Sequence, residues 1–104
     1  MEEIEDILKK GMILKCREIQ LMYRNDRVVC FFMAEKMVPE QKELSAGQYR
    51  EIIHALKLMA KIPTGDDAGF KEGIFTRPFG EREYFFRVHI FQTPLGDTAM
   101  MRIS

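Results

Sequence analysis

The sequence predicts an α+β domain, with two helices segregated around an antiparallel sheet of five to six strands. Three observations carry this. Two segments repeat apolar residues at three- and four-residue spacing, other segments alternate with period two, and turn-forming residues fill the breaks. The order is helix, two or three strands, helix, three strands. The 104 residues are the length of one domain.

Ile4, Ile7, Leu8, Gly11, Met12 and Leu14 follow helical spacing, with Glu2, Glu3, Glu5, Lys9 and Lys10 on the other side. They predict an amphipathic helix over residues 2–15. Its acids at the start and lysines near the end suit the helix dipole. Ile19, Leu21 and Tyr23 alternate as a strand, Arg24-Asn25-Asp26-Arg27 has turn chemistry, and Val28 to Met33 is rich in β-branched and aromatic residues. The two runs predict a hairpin, with a third short strand over Glu35 to Val38 stopped by Pro39.

Ser45-Ala-Gly-Gln48 has the form of a capping box, in which the Ser45 oxygen accepts from the first turn and Gln48 reaches back to the Ser45 amide. Tyr49, Ile52, Ile53, Leu56, Met59 and Ala60 then predict a second helix over 46–61, ended before Pro63. Residues 64–69 read as a loop. Strands are predicted over Phe70 to Phe79, Glu83 to Gln92 and Thr98 to Ile103, with turns at Gly80-Glu81 and Pro94 to Asp97. Eight Phe, three Tyr and eight Met supply most of the core.

Sixteen Lys and Arg cancel sixteen Asp and Glu. A protein that tracks phosphate backbones needs a basic excess, so no nucleic-acid partner is expected. No apolar run approaches membrane-spanning length, so no insertion is expected either. The two cysteines, with only His54 and His89 far off, do not make a structural zinc site, and two reduced thiols in a cytosolic protein are the simplest reading.

No P-loop is present. The loop from Gly65 to Gly69 has no Lys-Ser/Thr behind it and carries Asp66 and Asp67, which repel phosphate. Asp66, Asp67 and Glu72 lack the spacing of a calcium loop and read as solvated acids. Cys30, between Val29 and Phe31, reads as inert core. Cys16 lies between Lys15 and Arg17, which would lower a thiol pKa, but no sequence-adjacent His or Asn completes a nucleophilic site. His54, beside Arg50 and Lys57 on the polar side of the second helix, reads as surface. Arg87 and His89 share a strand face with Phe85 and Phe91. That arrangement serves an anionic ligand, is a plain solvent-exposed sheet face, or stacks Arg on Phe for packing alone.

In order and spacing these elements resemble the PAS-like N-terminal domain of the secretion ATPase superfamily, the assembly and retraction ATPases of type II secretion and type IV pili. The match begins with Ile4-Glu-Asp-Ile-Leu-Lys-Lys-Gly-Met and Arg17-Glu-Ile-Gln-Leu21, similar to the family's opening helix and Ser/Ala-Asp-Ile-His strand. It continues through Leu56-Lys-Leu-Met-Ala-Lys-Ile62 and Lys71-Glu-Gly-Ile-Phe75, which sits where the family carries Gln-Asp-Gly-Arg-Phe. It is strongest over Arg82 to Ile103, where the family has Arg-Val-Ser, a Thr-Pro turn, a Gly and a final Arg-Ile.

The resemblance implies a PAS-like antiparallel sheet and a cytoplasmic domain without catalysis of its own. Its implied partner is a P-loop ATPase domain, in a homo-oligomer that is hexameric in the family. ATP is implied only with that motor domain, where sheet arginines reach the nucleotide; by position these are Arg87 and Arg102. No catalytic residue or metal ligand is implied. Val29, Phe31 and Met33 depart from the family's Arg-x-Arg-x-Asp-Gly strand. The chain ends at Ser104, where the linker to the motor begins in the family, so a domain fragment and a stand-alone relative both fit. The alternative function is a diverged PAS-like sensor or dimerisation module for a small ligand or protein partner.

Overall fold

The computed structural model describes residues 2–24, 27–35, 40–63, 70–94 and 96–104. The elements run α1 (Glu2–Ile13), β1 (Cys16–Arg24), β2 (Arg27–Ala34), β3 (Glu40–Leu44), α2 (Ala46–Met59), β4 (Phe70–Phe79), β5 (Arg82–Thr93) and β6 (Gly96–Ile103). The fold is α+β, two helices and one six-stranded antiparallel sheet, as its periodicities predict. The strand order is β3-β2-β1-β6-β5-β4. Each half of the chain contributes a three-stranded meander, and the first and last strands pair at the centre.

The helices cover one face of the sheet. The apolar stripe of α1 (Ile4, Ile7, Leu8, Met12) and that of α2 (Tyr49, Ile52, Ile53, Leu56) join Ile19, Leu21, Phe32, Phe86, Val88 and Met101 in one buried cluster. Each fully buried Leu, Ile or Phe contributes roughly 2 kcal/mol of transfer free energy. Near the edges, Glu5 of α1 meets Arg77 on β4 at 2.9 Å and Lys10 meets Glu40 on β3 at 3.0 Å. These pairs are partly exposed and orient α1 more than they stabilise it. At Gly73 the end of α2 comes so close to β4 that a Cβ would stand 2.3 Å from the Ala60 carbonyl oxygen.

The capping box forms as predicted. The Gln48 amide donates to Ser45 Oγ at 3.1 Å, and the Ser45 amide to Gln48 Oε1 at 2.9 Å. Gln48 Nε2 also donates to Glu3 of α1 at 3.0 Å, so one side chain both caps α2 and ties it to α1.

The third strand is corrected. Glu35 is in a turn, residues 36–39 lie outside the described residues, and β3 forms after Pro39, over Glu40–Leu44. It is an edge strand, paired only with β2, and Leu44 alone of its side chains is buried. Such a strand is held by its backbone ladder and leaves no apolar alternation to read; its charges also discourage further pairing. β1 starts three residues before Ile19 because a register shift between Cys16 and Glu18 breaks the alternation there. That irregularity turns Cys16 to the buried side. The loop over 64–69 and its Asp66 and Asp67 lie outside the described residues.

Candidate functional site

Opposed residues of antiparallel strands point to the same face. On the helix side, Leu21 of β1 faces Cys30 of β2 and Ala99 of β6, and all three are buried. The alternate residues therefore form the open face, where no helix of the described residues lies. It carries Val29, Phe31 and Met33 on β2, Glu18 and Gln20 on β1, Met100 and Arg102 on β6, and Phe85, Arg87, His89 and Phe91 on β5.

The register sets Arg87 directly opposite Arg102, and Arg102 directly opposite Glu18. Directly opposed side chains start about 5 Å apart at Cβ, and two like charges there repel. Both arginines are exposed and permanently cationic. Among the described residues, neither takes a salt bridge within 4.0 Å nor lies over an aromatic ring. Phe85 and Phe91 share the face of Arg87, but stacking for packing alone is not how this guanidinium is held. Glu18 instead accepts from Gln20 Nε2 at 3.1 Å.

Arg87, Arg102 and Arg17 line one cleft of about 390 Å³ with Glu18, Ile103 and Ser104. Three guanidiniums stand there against one side-chain carboxylate, and guanidinium forks match the oxygens of carboxylate and phosphate. Arg17 enters through the irregular stretch of β1, which hid it from an alternation pattern. Its Nη1 lies 3.5 Å from Glu35 Oε1 in an exposed pair that a stronger anion can displace.

His89, on the same face, is half-buried with Nε2 3.9 Å from Glu72 Oε2. His54 is exposed on α2. Cys30 is fully buried, as expected from its neighbours. Cys16 corrects the expectation of a lowered pKa: burial, then the Glu40 charge, push its thiol up, and Lys10 only partly offsets them. Among the described residues no cluster of three His, Cys, Asp or Glu is placed to hold a metal ion, and no helix is long and apolar enough to cross a membrane. No protein-family model and no curated protein matches the chain.

Proposed function

We propose that this chain is a PAS-like interaction and regulatory domain of a type II secretion or type IV pilus assembly ATPase. On this reading it has no catalysis of its own and acts in the cytoplasm, in a ring of like copies. Arg87 and Arg102 meet the phosphates of a nucleotide gripped by a P-loop domain. The observation that carries the reading is the pairing of these two arginines, from adjacent strands of the open face, with no acid or ring holding either among the described residues. Two strands before a helix and three after it, with a third short strand interposed, also agree with the motif order of the resemblance. A guanidinium pair contributes phosphate-charge compensation, and domain rotation can then be coupled to the nucleotide state.

The test is nucleotide affinity of the cognate P-loop ATPase domain with and without this chain. Adding the chain should tighten ATP binding. Arg87→Ala and Arg102→Ala should each remove about tenfold of that gain, about 1.4 kcal/mol. An affinity indifferent to the chain, or to both substitutions, overturns the proposal.

The apolar β2 side chains favour a second reading. Val29 and Phe31 stand where the family carries arginines and Met33 where it carries Asp, and Phe85 and Phe91 remain 51% and 38% exposed on the same face. A PAS-like module that docks a protein or a second copy through this face would use them directly.

A further inference from the structure

We propose that a cleft on the helix side of the sheet, between α2 and the ends of β1 and β6, binds a small organic oxyanion carrying a planar ring. This site does not rest on the reading of Arg87 and Arg102, which lie on the opposite face.

The cleft encloses about 450 Å³, within the range of small-ligand sites. Its wall on α2 is a stripe at helical spacing, Arg50, Ile53, His54 and Lys57; its floor is Tyr23, Tyr49, Gly96 and Asp97. The floor is rigidly made. Tyr49 is buried, and its hydroxyl lies against the backbone carbonyls of Leu21 and Asp97. Tyr23 meets the Tyr49 ring edge-to-face at 5.2 Å. Gly96 has φ +138°, and a Cβ there would stand 2.6 Å from Tyr23 Cε2, so only glycine lets β6 close against that ring.

The charges select the ligand. Lys57 Nζ is bound to Asp97 Oδ2 at 3.0 Å, and this largely sheltered pair neutralises itself. Arg50 and His54 have no acid partner among the described residues, so the cleft carries a net positive charge in a chain whose total is zero. An anionic group meets Arg50 and His54 at the rim, and a planar ring lies against the half-buried Tyr23 below. Carboxylate and phosphate share this chemistry.

The test is an NMR titration of the ¹⁵N-labelled chain with phenyl phosphate, benzoate and inorganic phosphate. Phenyl phosphate or benzoate should give saturable shifts at Tyr23, His54 and Gly96, and whichever binds tighter identifies the oxyanion. Inorganic phosphate should bind at least tenfold more weakly. Arg50→Ala should abolish the shifts while keeping the dispersion of the folded spectrum, since Arg50 is exposed. Arg87→Ala and Arg102→Ala should leave them unchanged, which separates this site from the open-face cleft. No saturable shift at millimolar concentration of either ring compound overturns the proposal. So do shifts that survive Arg50→Ala, or that inorganic phosphate reproduces with equal affinity.

Discussion

Cys30 shows how far one residue's character follows from its neighbours. Flanked by Val29 and Phe31, it reads as core, and it is fully buried opposite Leu21. Burial pushes its thiol up to about 12; Lys42 and Lys10 oppose the shift weakly, and Cys16 adds to it. The raised pKa means that the folded state keeps a proton the unfolded chain releases near the ordinary value of 9.0. The stability tied to this proton is therefore complete below pH 9 and is lost as pH rises from there toward 12. We predict that urea midpoints fall between pH 9 and 10, where Cys30 contributes a slope of at most about 1.4 kcal/mol per pH unit. Cys30→Ala should start less stable but decline less steeply, and an equal slope in both proteins would contradict this account. Tyr49 is shifted the same way, by burial first and then by Tyr23 and Asp97, so it adds to the decline only at higher pH. Its apolar ring was legible from helical spacing. The two carbonyls beside its hydroxyl were not, because they belong to strands distant in sequence.

The elements were legible where they begin and less so where they end. Ser45 and Gln48 announce the start of α2 because capping is a contact between residues three apart. The helix ends carry weaker signs: Pro63 bounds α2 from four residues beyond its last residue, Met59, and neither helix is followed by a glycine. Lys15 and Lys61 stand in the left-handed region at φ 55° and 57°, where glycine is the usual occupant. After α2 the turn closes with the Ile62 amide donating to the Lys57 carbonyl at 2.8 Å and the Lys61 amide to that of Leu58 at 3.2 Å. Ile62 is buried at 4% exposure, and that tertiary contact holds a lysine in a conformation costing about 1 kcal/mol. Lys61→Gly should accordingly stabilise the protein by up to about 1 kcal/mol, read as a raised thermal midpoint. A lowered midpoint would mean that the Lys61 side chain makes contacts worth more than its backbone strain.

At the scale of the whole molecule, the sheet has one covered face and one open face, and adjacent phenylalanines report on each. Phe86 is fully buried and stacks on Phe75 at 5.1 Å, while Phe85 is half exposed on the other side. Phe86→Ala should cost about 3–5 kcal/mol and Phe85→Ala under about 1 kcal/mol, measured by urea denaturation. The reverse order would mean a one-residue slip of β5, which exchanges its faces.

Except at β3, local periodicity determined which segments become helix or strand and which side chains are apolar enough to be buried, since spacing and side-chain size act within a few residues. Only the tertiary structure decided that β1 pairs with β6. That pairing joins the two ends of the chain, sets Arg102 between Glu18 and Arg87, and brings Tyr23 beneath α2. No local pattern encodes it, because each meander leaves an edge strand whose partner is chosen by how both helices cover the completed sheet.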